Sequence, residues 1–100
     1  ATTPRFTAAD DVWLSTAHER ESCYVAVHTY HRQDPSSYFA AAQEVFVAHG
    51  GRPHWGKRHT LDAAYLSRAY AHFQEFLAIR DDADPRRLLT NEHLTQVLGS

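Results

Sequence analysis

A chain of 100 residues, 43% hydrophobic and 12% aromatic, holds enough apolar material for one small folded domain and is not a disordered tail. A formal net charge of −2 argues against a dedicated nucleic-acid binder, while eight histidines make the charge responsive to pH between about 5 and 7. No apolar run approaches the roughly 20 residues of a membrane-spanning helix, the opening "ATTPRFTAADD" lacks a signal-peptide core, and a lone cysteine, Cys23, fits a reducing compartment. The expected location is the cytoplasm, with peripheral membrane attachment left open.

In chain order, "RFTA" (5–8) and "VWLST" (12–16) read as short strands, and "HERES" (18–22) as a solvated turn. The clearest strand is "SCYVAVHTY" (22–30), rich in β-branched and aromatic residues and alternating with period 2. Cys23, Val25, Val27 and Thr29 share one face, expected to meet the core with Cys23 as a buried, inert thiol. Tyr24, Ala26, His28 and Tyr30 share the other, suited to a cavity wall or a partner.

Asp34 and Pro35 predict a helix start, with Asp as the N-cap and Pro at the first helical position. Phe39, Ala42, Val45, Phe46 and His49 follow at helical spacing, and Gly50-Gly51 supplies the stop. A second helical region runs from near Thr60 toward Arg80, with Leu66, Ala69, Tyr70, Phe73, Phe76 and Leu77 as its apolar stripe. Asp84-Pro85 repeats the stop-and-start signal, and "NEHLTQVLG" predicts a short helix capped by Asn91 and closed by Gly99. The order predicts an α+β fold: a small antiparallel sheet of three strands with helices on one face. An edge strand beginning almost at residue 1 invites pairing with another strand, and the chain reads as part of a larger protein.

Metal ligation has little support. His28 and His31 fall on opposite faces of a strand, and His54 and His59 lack a cysteine pair or an HExxH motif beside them. No nucleophile elbow, GxGxxG or phosphate-binding loop is present. The segment "GGRPHWGKRH" (50–59) stands out, because it concentrates three cations, two histidines and a tryptophan where glycine and proline oppose regular structure. Lys57 is a compact cation suited to chemistry that develops negative charge on oxygen, with Arg52 and Arg58 adding positive potential. The competing reading is an exposed basic loop pinned to the core by Trp55.

"GGRPHWGKRHTL" (50–61), followed by the DP-x-x-x-x-x-N-x-x-L pattern of "DPRRLLTNEHL" (84–94), resembles the C-terminal end of FAD-dependent sugar-lactone and alditol oxidoreductases. These are the L-gulono-1,4-lactone and D-arabinono-1,4-lactone oxidases or dehydrogenases and the alditol (xylitol) oxidases of the vanillyl-alcohol-oxidase-like superfamily. "RFTAADDVWLSTAHERES" resembles the preceding family segment, E-x-R followed by A-x-D-D and Leu-Ser. The resemblance implies that residues 1–100 are a C-terminal substrate (cap) domain whose FAD-binding domain lies outside this chain. It places Lys57 beside the substrate hydroxyl and the flavin, as a catalytic and substrate-binding residue. It places His54 against the flavin, Arg5 on the substrate-binding and catalytic arginine of E-x-R, and His28 on a strand carrying a substrate-facing residue.

Two departures stand against the family pattern. Thr3 occupies the position of the E-x-R glutamate, with Pro4 after it, and Tyr70-Ala71 replaces a tyrosine-proline step, which predicts an unbroken long helix. The implied partners are a sugar lactone or polyol and the chain's own FAD-binding domain. No nucleic acid is expected, and the isolated chain is expected to be inactive. The alternative is an orphan α+β binding or dimerisation module descended from such an oxidase, with copies pairing through the open sheet edge.

Overall fold

The computed structural model describes residues 2–30, 32 and 34–99, with the side chains of residues 2 and 3 outside the description. His31, and the Thr3 side chain at the glutamate position, therefore lie outside the described residues. The element order is β1 (Thr2–Thr7), β2 (Ser22–Val27), α1 (Ser36–Ala48), α2 (Ala63–Ala69), α3 (Phe73–Ala83) and α4 (Glu92–Leu98). This is α+β with a small antiparallel sheet. The chain divides into two compact units, one of residues 1–11 and 15–59, the other of residues 12–14 and 60–100.

The first unit is built on an antiparallel ribbon in which Pro4 faces Val25, Arg5 faces Tyr24 and Phe6 faces Cys23. Both strands of a two-stranded ribbon are edges, so a proline without an N–H is tolerated in β1. "RFTA" is thus part of a strand, whereas "VWLST" is not: residues 13–14 and 16–17 form turns. The reason is a local network that outcompetes extension. The Asp10 carboxylate accepts from the Ser15 hydroxyl at 2.5 Å, Ser15 Oγ accepts from the Ala17 amide at 3.1 Å, and the Asp10 amide donates to the Ala17 carbonyl at 3.1 Å. Glu19 then takes a positive φ of 56° inside the expected "HERES" turn.

Strand β2 stops at Val27, so His28, Thr29 and Tyr30 lie beyond its end. Burial departs from the expectation at residues 23–26, while Val27, on the face expected to meet the core, is half-buried. Cys23 is exposed, Val25 is 40% and Phe6 80% exposed, while Tyr24 and Ala26 are half-buried. Period-2 alternation shows which residues share a face but not which face is covered. Cys23 is an accessible thiol here, not a buried one.

Helix α1 begins one residue later than expected: Pro35 is its N-cap and not its first helical residue, and Asp34, just outside, accepts the Ser36 amide on Oδ1 at 3.0 Å. It ends in a Schellman turn: the Gly51 amide donates to Phe46 O at 2.7 Å, and the Gly50 amide to Val47 O at 3.0 Å. Gly50 has φ +70°, and a Cβ on Gly51 would lie 2.7 Å from Phe46 O, so neither position suits a larger residue. No α1 residue is buried.

The second unit is helical. Asp62 and Asn91 cap α2 and α4 by accepting the Tyr65 and Leu94 amides at 3.0 and 2.9 Å. The expected long helix is broken. Tyr70 is extended (φ −122°, ψ 121°), and α3 restarts at Phe73 after His72. Alanine at position 71 did not keep the helix straight, because tertiary packing overrides a weak propensity. His72 Nδ1 bonds Glu75 Oε1 at 2.7 Å, and its ring stacks on Trp13 at 4.8 Å. Either side of the break α2 and α3 stay in contact, α4 packs on α2, and Leu66, Tyr70, Phe73 and Val97 are the buried core. Asp84 ends α3 but starts no helix. Its two carboxylate oxygens instead accept the Leu88 and Leu89 amides, each at 2.9 Å, and hold an irregular connection to α4.

Candidate functional site

All four residues singled out above, Arg5, His28, His54 and Lys57, fall in the first unit. His54 and Lys57 share one turn, in which the Lys57 amide donates to His54 O at 3.1 Å. The Gly56 amide donates to His54 Nδ1 at 3.1 Å. Because Nδ1 is the acceptor, the neutral ring carries its proton on Nε2, and the exposed His54 presents a donor. Lys57 is exposed, and its side chain makes no hydrogen bond or ion pair among the described residues.

The arginines of the segment are employed otherwise than as free positive potential. Half-buried Arg52 donates from Nη1 to the carbonyls of Thr16 (3.3 Å) and His18 (3.0 Å). Arg58 lies over the Phe39 ring, 5.6 Å from its centroid, on the first turn of α1. The Asp34 carboxyl is held below the usual carboxylate range mainly by the Ser36 amide and hydroxyl, and Arg58 acts in the same direction. Arg20 Nη2 donates to Gly50 O at 3.0 Å and fixes the segment's entry. An irregular stretch is thereby tied to residues outside it, through its own Arg52 and Arg58 and through Arg20.

Arg5 is exposed on β1 directly across the ribbon from Tyr24. Tyr24 lies on the face read as suited to a cavity wall or a partner, and its hydroxyl is bonded to Thr16 Oγ1 at 2.5 Å. His28 is exposed just past the end of β2. No hydrogen bond joins Arg5 or His28 to the His54–Lys57 turn among the described residues. The sequence reading missed Thr16, Tyr24 and Arg52 as one connected set. Their separations of 8 and 36 residues give no local signal.

Chemically the turn offers an imidazole N–H donor and an amine side chain three residues apart on one hydrogen-bonded turn. That pairing suits binding of acceptor-rich or anion-developing groups. Among the described residues no cluster of His, Cys, Asp or Glu could hold a metal ion, and no helix is long and apolar enough to cross a membrane.

Comparison with known proteins defines the class first. Residues 3–97 match the sequence profile described as D-arabinono-1,4-lactone oxidase. The chain belongs to that family of oxidoreductases. It is 47% identical over 95 residues to the L-gulono-1,4-lactone dehydrogenase of Mycobacterium tuberculosis, an alignment covering 95% of this chain and 22% of that protein. It is 36% identical over 97 residues to the L-gulonolactone oxidase of Bos taurus, covering 93% of this chain and 22% of that protein. To the alditol oxidase of a Streptomyces species it is 33% identical over 97 residues, covering 94% and 23%. The chain spans about a fifth of the length of these relatives.

Proposed function

We propose that these residues form the C-terminal substrate-domain portion of an FAD-dependent oxidoreductase that oxidises a CH–OH group of a sugar lactone or polyol. The observation that carries the reading is the family match over residues 3–97, with the motif residues His54 and Lys57 presented together on one clamped turn. The names of the relatives, a lactone dehydrogenase, lactone oxidases and an alditol oxidase, supply the substrate class.

The residues present fit a flavin in donor chemistry. With Nδ1 accepting the Gly56 amide, His54 presents its Nε2–H, which suits a ring system rich in carbonyl and imine acceptors. When bound, the flavin accepts the hydride that leaves the alcohol carbon. Lys57 then has two tasks on the substrate side: its ammonium orients the hydroxyl, and it stabilises the negative charge that grows on oxygen as the hydroxyl proton passes to solvent water. Arg5 is a second cation for the ring or chain oxygens of the substrate, and His28 offers a polar contact beyond the strand. The FAD-binding domain is assigned outside these residues, and residues 1–100 plus free FAD are expected to show no turnover.

The test is purification of the native protein that carries these residues, followed by anaerobic addition of L-gulono-1,4-lactone, D-arabinono-1,4-lactone or xylitol. Bleaching of a bound flavin by one of them is the expected result. Lys57→Ala is expected to lower the limiting reduction rate by about 10²- to 10³-fold. A native mass near 11.4 kDa with no flavin would overturn the reading and favour an orphan module instead.

A further inference from the structure

The bonds inside the His54–Lys57 turn, from the Gly56 amide to His54 Nδ1 and from the Lys57 amide to His54 O, set the turn's shape. They do not set its place in the protein, because both partners of each bond move together. Location has to come from contacts to other segments. Arg52, two residues before His54, supplies such a contact through its bonds to the carbonyls of Thr16 and His18. The acceptor segment is itself anchored: Ala17 and His18 are 4% and 3% exposed, and Asp10 and Ser15 lock its backbone. Thr16 also holds the Tyr24 hydroxyl, and Tyr24 faces Arg5 across the ribbon. The turn at residues 15–18 is thus a common mount. The loop hangs from it through Arg52, and the ribbon bearing Arg5 is joined to it through Tyr24.

We infer that Arg52 is a positioning residue: it fixes His54 and Lys57 against the 15–18 turn, and so sets their placement relative to Arg5. The inference rests on the oxidoreductase reading above for its bearing on chemistry. Both bonds come from one nitrogen, Nη1, whose N–H directions are fixed by the planar guanidinium, whereas a lysine ammonium is a point charge on a flexible stem. Displacement of a reacting group by about 1 Å can cost on the order of 100-fold in rate, so such a mount matters to catalysis without touching substrate.

The experiment compares the whole flavin-containing protein with Arg52→Gln, Arg52→Lys and, as a control, Arg86→Gln at an exposed position. Two readouts are taken on the same samples. Hydrogen exchange at amides 54–58 is expected to quicken about tenfold or more in Arg52→Gln, with α3 amides unchanged. The limiting rate of flavin reduction, normalised to bound flavin, is expected to fall by about 10- to 100-fold with substrate affinity changed less than about threefold. Arg52→Lys should fall between, and Arg86→Gln should match the parent.

Unchanged exchange in Arg52→Gln overturns the mount outright. Faster exchange with an unchanged normalised reduction rate overturns the catalytic bearing and leaves a purely structural tie. If the parent has no reducible flavin, the oxidoreductase reading fails and takes the catalytic bearing with it. Exchange still decides whether Arg52 holds the loop.

Discussion

The two compact units make opposite use of apolar side chains. In the helical unit Leu66, Tyr70, Phe73 and Val97 are all less than 2% exposed, and short capped helices close around them. In the unit with the ribbon, the buried residues among those described are Ala17 and His18, α1 buries nothing, and Phe6, Tyr38, Val45 and Phe46 are all between 38% and 80% exposed. Every candidate functional residue lies in that second kind of environment. Where apolar burial is sparse, specific polar ties set the backbone: Asp10 with Ser15, Thr16 with Tyr24, and Arg52 with the 15–18 turn. The lesson is that a site can be held by directional bonds to a small fixed turn while the larger apolar core lies in another part of the chain.

The sharpest way to break this comparison is a matched pair of truncations. Phe73→Ala should lower unfolding free energy by about 3–5 kcal/mol, whereas exposed Phe6→Ala should change it by less than about 0.5 kcal/mol. Urea unfolding of the native protein measures both. A large loss from Phe6→Ala would mean that the ribbon's apolar face is covered in the working protein, and the contrast would dissolve.

Next in size is a glycine pair in the functional segment. Gly51→Ala drives a methyl against the Phe46 carbonyl and should cost about 1–3 kcal/mol. At Gly56 the nearest atom to a new Cβ is His54 Cε1 at 3.7 Å, so Gly56→Ala should stay within about 0.5 kcal/mol of the parent. Thermal melts of the two variants check that the segment is constrained at its entry and not throughout.

The smallest effect is a pH dependence. The Asp84 carboxyl lies below the usual value because of the Leu89 and Leu88 amides, and the Asp34 carboxyl because of Ser36. With folded values depressed, the unfolded chain takes up protons first as pH falls. The contribution is therefore complete above about pH 5 and is lost progressively as pH drops through about 4 and below. Unfolding midpoints across that window should decline, and Asp84→Asn should flatten part of the decline. An unaltered slope in that variant would count against the Asp84 bonds as a stability device.

Much of the local structure was legible because its causes are local. Asp34, Asp62 and Asn91 side chains accept amides two or three residues ahead, and Gly50-Gly51 closes α1 as its backbone freedom permits. The "HW-G-K" turn was legible as a motif, and the family follows from it with residues 3–97. Three features were not legible. "VWLST" has strand propensity, yet Asp10 and Ser15 bend that region into turns. Alternation along β2 was real, but Cys23 and Val25, expected to be buried, are exposed. Tyr70 breaks the helical run without a proline beside it.

The sequence alone determined the Asp62 and Asn91 caps, the glycine stop of α1 and which residues share a strand face, because caps, turns and side-chain types act over a few residues. Tertiary structure decided which face is covered, where the long helix folds back, and what Arg52 and Tyr24 hold. Those depend on partners 8 to 36 residues away, and a pairing over that distance is selected by packing that no local pattern encodes.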